Sequence, residues 1–293
     1  MYDYKLLEAF TAVIDNKGFD KAAQVLYITQ SAVSQRIKQL EETLGQIILV
    51  RGTPPTPTEA GRKIIAHFNK VKLLESELSN DIEQNEVRSY TTVPIGLNAD
   101  TLATWFFDAV GETILKNKIL LDLHIDDQDE THRMLKDGDV AGCITTRDKA
   151  FQSCTCTYIG TMTYRMYCSA ESYDKLFPDG LTTEALKDVP FIIYNDKDSL
   201  HLQMLKKAFG RTNFEYPKMY IPAVDQYLDA VLRGFGIGMM PDNQCMPLVE
   251  RGLLKDVFAP HIIETPLYWH RWTLTSAPLD VLTKALTKKH LLI

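Results

Sequence analysis

No stretch of the 293-residue chain is apolar for the roughly 20 residues that a membrane helix needs. Behind the opening Met-Tyr-Asp-Tyr-Lys there is no apolar core of an export signal. The expectation is a cytoplasmic protein with no membrane partner. Cysteine is scarce: five residues, an odd number without framework spacing, which argues against a disulfide-stapled fold and reads as reduced thiols. Cys154 and Cys156 form a C-x-C, but no second ligand pair accompanies them, which favours two cysteines on one strand face over a metal site. The seven histidines are scattered, and neither G-x-S-x-G nor H-x-x-x-H occurs. Nothing supplies a nucleophile with its base or a metal cluster, so no catalytic residue, metal or enzymatic activity is expected.

What is present is an ordinary globular composition, 45% apolar and 24% charged, with chain enough for two or three domains. The charge is divided unevenly. Residues 1–72 carry ten basic and seven acidic side chains, about +3, which leaves about −9 of the total −6 for the remainder. A basic head on an acidic body fits a polyanion-binding head attached to something else.

In the head, Leu6, Leu7, Phe10, Val13 and Ile14 form one helical stripe over Tyr4 to Ile14. Asn16-Lys17-Gly18 ends it, with Gly18 suited to a left-handed cap. A short helix from Asp20 to Leu26 follows, with small Ala22 and Ala23. After the break at Tyr27-Ile28, Thr29 can cap a helix from Gln30 to Leu44. That helix would bury Ala32, Val33, Ile37, Leu40 and Leu44, and show Gln30, Ser31, Ser34, Gln35 and Lys38. Gln and Lys side chains at a helix start can reach base edges in a major groove, while Ser and Thr hydroxyls bond phosphates. A strand-like Ile47 to Arg51 and a proline-stiffened tip, Gly52 to Pro57, complete a helix-turn-helix with a wing. The candidate DNA-binding residues are Thr29, Gln30, Ser31, Ser34, Gln35, Lys38, Arg51 and Thr56.

The run A-A-x-x-L-x-x-x-Q-S-A-V-S-x-x-I-x-x-L-E-x-x-L-G (Ala22 to Gly45), followed by L-V-R and T-P-T-E-A-G (Thr56 to Gly61), resembles the signature of LysR-type transcriptional regulators. The resemblance implies double-stranded DNA as a partner, a homodimer or homotetramer, and RNA polymerase at activated promoters. Thr58 can cap a long helix from Glu59 to about Arg88. Its Ile64, Phe68, Val71, Leu74, Leu78 and Ile82 recur at coiled-coil spacing. A helix this long with no globular partner in sequence is best explained by pairing with a second copy; packing against the chain's own body is the alternative.

From Thr92 the pattern changes to strands alternating with helices. Val93–Leu97, Leu121–Ile125 and Val140–Thr145 read as strands of one parallel unit. Tyr164–Ser169, Phe191–Tyr194 and Lys218–Pro222 read as strands of a second. The glycines at 234, 236 and 238 follow a helix, so they read as a turn into a buried strand and not as a phosphate loop. The tail from Pro266 to Leu274 reads as a strand returning to the first lobe. The expected fold is α/β: a winged helix-turn-helix (1–58), a linker helix (59–88) and a two-lobed, doubly wound effector domain like the type-2 periplasmic binding proteins. Its lobe I would comprise 92–161 and 267–293, and lobe II 162–266.

Strand ends and helix mouths place Asn98, Asp100, Thr101, Asp127, Asp129, Thr145, Thr146 and Arg147 toward the expected crevice. A helix mouth near Thr101 suits a carboxylate, and Asp127 and Asp129 suit a cation, which fits lysine or arginine; helix caps and solvated loop residues are the alternative. N-A-D-T-L-A-T-W (Asn98 to Trp105), D-Q-D-E-T (Asp127 to Thr131) and P-L-Y-W-H-R-W (Pro266 to Trp272) resemble the ArgP branch of the family, which senses basic amino acids. That resemblance implies lysine or arginine as co-effector, no other cofactor, and control of an amino-acid exporter or metabolic genes. It also suggests Asp100, Thr101, Asp127 and Asp129 as effector contacts. Phe107-Asp108 and Ser153 to Thr157 depart from the branch and leave the ligand open. Another small-molecule effector and a replication-origin-binding inhibitor are the alternatives. A solute-binding protein would need an export signal and no helix-turn-helix.

Overall fold

The computed structural model describes residues 2–82, 90–126, 128–178 and 180–288. Helix α1 (Tyr4–Asp15) starts at Asp3, whose carboxylate accepts the Lys5 amide at 2.9 Å and fills one orphan donor of the first turn. Leu6, Leu7, Phe10 and Val13 are buried along its stripe. Lys17, not Gly18, takes the left-handed conformation (φ 54°) after the helix. The Gly18 amide reaches back to the Val13 carbonyl at 3.0 Å. That closing bond makes Lys17 the turning residue and leaves Gly18 extended.

The small Ala22 and Ala23 of α2 (Phe19–Val25) are buried, and α3 (Gln30–Leu44) buries Val33, Ile37 and Leu40. Ala32 and Leu44, expected inside, are half-buried. Strands β1 (Leu49–Val50) and β2 (Thr56–Pro57) pair antiparallel as the wing. The Thr58 hydroxyl accepts the Gly61 amide at 3.1 Å and opens α4 (Glu59–Ile82). Gly61 lets the wing lie directly on this helix, since a Cβ there would meet the Ile48 carbonyl oxygen at 2.2 Å.

One side of α4 packs on its own chain. Ile65 joins the core of the head and Leu73 that of the sensing domain. Asn69 donates to the Gly138 carbonyl at 2.9 Å, and Arg62 lies 3.7 Å from Asp137. Further along, the Lys70 ammonium stands over the Trp272 ring, and Glu77 accepts from the Ser276 hydroxyl and the Ala277 amide. At Gly138 the backbone is left-handed (φ 85°), and a Cβ would lie 2.2 Å from the Ala66 Cα. The opposite side shows Leu74, Leu78 and Ile82, which are 40%, 57% and 68% exposed. Packing against the body thus accounts for one face of α4 only. Residues 83–88 of the expected linker lie outside the described residues.

The first lobe contains β3 (Thr91–Leu97), α5 (Ala99–Thr104), α6 (Phe106–Lys116), β4 (Ile119–Ile125), α7 (Gln128–Asp137) and β5 (Gly142–Thr145). The helix whose mouth was expected near Thr101 is α5, which ends at Trp105, where α6 takes over. Strand β6 (Cys154–Ser169) leads into the second lobe. There follow α8 (Tyr173–Leu176), β7 (Phe191–Ile193), α9 (Leu200–Phe209), β8 (Lys218–Tyr220), α10 (Val224–Leu232), β9 (Ile237–Pro241), α11 (Asp242–Glu250) and β10 (Leu254–Asp256). Strand β11 (Ile263–Trp272) returns, and α12 (Ala277–Leu286) closes on the first lobe. The glycine-rich segment is a turn into β9, every residue of which is buried.

The sheet differs from the expected pair of parallel units. Strands β4, β3, β5, β11, β6, β9, β7 and β8 lie side by side in that order, with β10 beside β6. β3 is parallel to β4 and β5, and β7 is parallel to β8 and β9. β11 runs antiparallel to β5 and β6. The segments expected as separate strands at Tyr164–Ser169 and from Pro266 belong to β6 and β11, which continue through both lobes. A chain that crosses twice, in opposite directions, satisfies its backbone groups by pairing the two crossings with each other.

Candidate functional site

Two surfaces carry chemistry. On the head, Thr29, Gln30, Ser31, Gln35 and Lys38 are exposed along α3, Ser34 is half-buried, and Arg51 and Thr56 are exposed at the wing. The Thr29 hydroxyl accepts the Ala32 amide at 3.2 Å and lies 2.9 Å from Ser31 Oγ, so it caps the helix. Lys38 lies 3.7 Å from Glu42, with both side chains mostly exposed. Such a solvated pair is worth little and yields readily to a phosphate. These side chains lie on one helix face beside the wing, the arrangement that enters a major groove. Tyr27, read from the sequence only as a break, is 95% exposed at φ 53° on the turn before Thr29.

The second surface is a cleft of about 890 Å³ between the lobes. Asn98, Asp100, Asp126, Glu130 and Thr146 line it from lobe I; Tyr194, Lys197, Asp198, Gln203 and Gln244 line it from lobe II. Tyr164 of β6 and Glu264 of β11 form part of its wall. Of the described lining residues, Asp100, Asp126, Glu130, Asp198 and Glu264 are acidic, and Lys197 alone is cationic. This wall suits a cation. The Asn98 Oδ1 is buried without a hydrogen-bond partner, leaving an acceptor for a donor that enters the cleft.

Tyr164 donates its hydroxyl to Asp100 Oδ2 at 2.9 Å. Burial pushes the Asp100 carboxyl up to about 6; the Tyr164 hydrogen bond opposes that rise and the nearby Asp198 charge adds to it. On the facing lobe, Asp198 accepts the Tyr194 amide at 3.2 Å and the Leu200 amide, the first of α9, at 3.0 Å. Buried Tyr227 donates to the Ile192 carbonyl and accepts the Met239 amide, tying α10 to β7 and β9 beneath the cleft.

Of the residues placed toward the crevice from the sequence, Asn98, Asp100 and Thr146 line the cleft. Thr101 is fully buried, with its hydroxyl 3.9 Å from Met162 Sδ, and Thr145 is fully buried in β5. Both stand behind the lining. Arg147 is exposed beyond the lining, and its backbone carbonyl accepts from His270 at 2.7 Å. Asp127 lies outside the described residues, as does the side chain of Asp129, whose backbone is in the first turn of α7.

Sequence reasoning missed Asp126, Glu130, Lys197, Asp198 and Glu264. The first four follow strands β4 and β7 or begin the next helix, where ligands of parallel sheets bind; Glu264 needed knowledge of the β11 crossing. Among the described residues no group of three or more His, Cys, Asp or Glu side chains is placed to hold a metal ion. Burial raises the Cys143, Cys154 and Cys156 thiols, which disfavours the reactive thiolate. No helix among the described residues is long and apolar enough to cross a membrane.

Comparison with known proteins agrees with this division. Residues 4–62 match the family described as "Bacterial regulatory helix-turn-helix protein, lysR family", and residues 115–290 match the "LysR substrate binding domain". The chain is 37% identical over 289 residues to the HTH-type transcriptional regulator ArgP of Pseudomonas fluorescens Pf0-1, covering 98% of this chain and 97% of that protein. The crystal structure of ArgP from Mycobacterium tuberculosis superposes with a TM-score of 0.86 at 32% identity, over 98% of this chain and 97% of the other. Full-length LysG from Corynebacterium glutamicum with bound effector Arg gives a TM-score of 0.76 at 29% identity, with the same coverage. The chain belongs to the LysR family of bacterial helix-turn-helix transcriptional regulators, within which its likeness is to the ArgP group.

Proposed function

We propose that the chain is a cytoplasmic transcription regulator whose action on DNA is set by L-arginine or L-lysine bound between the lobes. The observation that carries this reading is the acid-walled cleft, with five carboxylates facing one cation. The arginine-bound LysG relative supports it independently. In this reading the effector's side-chain cation meets the carboxylates at the cleft wall, and its ammonium finds acceptors such as the Asn98 Oδ1. Gln30, Ser34 and Gln35 read base edges; Arg51, Lys38, Thr29, Ser31 and Thr56 contact the backbone.

Two copies act together. A head of about +3 binds weakly and salt-sensitively by itself. The exposed Leu74, Leu78 and Ile82 strip of α4 suits a second copy of the same helix, giving a homodimer or a homotetramer. Amino-acid export or metabolism genes are the proposed targets, with RNA polymerase as the partner at activated promoters.

Calorimetric titration of the full chain with L-arginine, L-lysine and L-citrulline, the last a neutral isostere of arginine, tests the effector. Binding of at least one cationic amino acid in preference to citrulline is expected. Heat from neither arginine nor lysine would refute the reading.

A further inference from the structure

Consecutive residues after β7 do different work. Asn195 Oδ1 accepts the amides of Lys197 at 2.9 Å and Asp198 at 3.1 Å. Asp198 in turn accepts the Tyr194 and Leu200 amides. The turn from 194 to 200 is thereby tied at both ends to its own side chains, and the Lys197 backbone is held at the cleft mouth. Its side chain points away from lobe II. The ammonium lies 3.9 Å from Asp126 Oδ1, on the segment that follows β4 in lobe I.

The ion pair therefore spans the gap between the lobes, and it joins the cation of the described lining to one of its carboxylates. A lysine side chain anchored on the protein presents the same ammonium as free lysine. Asp126 is half-buried, whereas the Lys197 side chain is 66% exposed. The carboxylate is thus the fixed partner and the lysine the displaceable one, on a stem with four rotatable bonds.

We propose that Lys197 is a built-in competitor for the effector's cation: it occupies Asp126 when the cleft is empty, clasps the lobes together, and is displaced when a cationic side chain enters. This rests on the effector reading above and adds a specificity role for a residue on the facing lobe. An effector must exceed the tethered ammonium to displace it, so neutral side chains gain nothing at Asp126 and cannot open the clasp.

The test compares wild type, Lys197→Gln, Asp126→Asn and the double variant, each as the full chain. L-arginine and L-citrulline are titrated at low and at high salt. Lys197→Gln is expected to bind arginine about three- to fivefold more tightly at low salt, the size set by a largely exposed ion pair. That gain shrinks at high salt, is absent for citrulline, and is absent in the Asp126→Asn background. Unchanged or weaker arginine binding by Lys197→Gln would overturn the proposal, because the lysine would then be inert or would itself hold the ligand.

A second readout needs no ligand. Hydrogen–deuterium exchange of the free protein should rise in Lys197→Gln around residues 122–126 and 194–200, and unchanged exchange there also overturns the clasp. Wild type that binds neither arginine nor lysine sinks the effector reading alone, and the clasp is then decided by the exchange experiment.

Discussion

The head and the cleft place their polar groups in opposite ways. On the head, seven of the candidate residues fall between Thr29 and Arg51, and Thr56 follows at once; one helix and one hairpin position them. The cleft draws Asp100, Asp126 with Glu130, Asp198 and Glu264 from four separated segments, brought together only when the sheet has formed. Their electrostatic settings differ as well. Head side chains sit in water, where each ion pair is weak and salt screens it. The Asp100 carboxyl is withdrawn from water, and its proton affinity rises as a result. A contiguous exposed site gains strength by duplication, whereas an assembled, half-buried site gains it from its surroundings.

Disrupting the helix that joins the two regions should separate them most sharply. Leu74→Asp with Leu78→Asp places charges on the exposed strip of α4, while Leu73 stays in the core on the other side. Sedimentation should show monomers, and a mobility-shift assay should show DNA affinity falling at least about 100-fold, from the loss of bivalent binding. Arginine affinity should stay within about twofold. A normal footprint from the double variant would break the pairing role of this strip.

The next effect in size belongs to the cleft. Asp100 holds its proton up to about pH 6, so a cationic effector should bind more tightly as pH rises through that value. Titration calorimetry should show about a tenfold gain from pH 5 to pH 7.5, and Asp100→Asn should flatten the profile. Stability follows the same proton with the opposite sense. The folded carboxyl is protonated more readily than the unfolded one at 3.8, so its contribution is complete below pH 3.8 and is lost as pH rises through about 6. Denaturant melts of Asp100→Asn against wild type should therefore diverge between pH 4 and 6; parallel curves would mean that Asp100 is solvated.

On the head the expected effects are smaller. Arg51→Ala should weaken DNA binding about three- to tenfold on every sequence, and reduce the salt slope by about one. Gln35→Ala should instead relax base preference at one position. If Arg51→Ala changed sequence preference and Gln35→Ala did not, the division between backbone and base contacts would be reversed.

The same contrast governs what could be read before the structure. The order of helices and wing was legible because each signal is local: the Leu6 to Val13 stripe, the alanine pair, the Thr29 cap and the prolines of the tip. Gly18 misled because the Lys17 conformation depends on a bond from Gly18 back to Val13. In the sensing domain the strand periodicities were visible, but not their continuity. Nothing local distinguishes a strand that begins at Tyr164 from one that has already run from Cys154 and paired with Trp272. Thr101 and Thr145 sat correctly at a helix mouth and a strand end, yet packing turned both inward. Lys197 and Glu264 could be weighed only once the two lobes faced each other.

The two crossings have a mechanical consequence. Among the described residues the chain passes between the lobes only in β6 and β11, and these strands are paired along their shared length from Ile263–Tyr164 to Trp272–Cys154. Their one irregularity, between Leu267 and Tyr268, lies opposite Gly160 and Tyr158. Lobe motion must therefore be a twist and bend of a two-stranded ribbon, concentrated at that bulge, and not the swing of slack loops. A ribbon of this kind is a torsion spring. Any rotation it allows reaches the head through lobe I, to which α4 is fastened by Asn69 and Glu77.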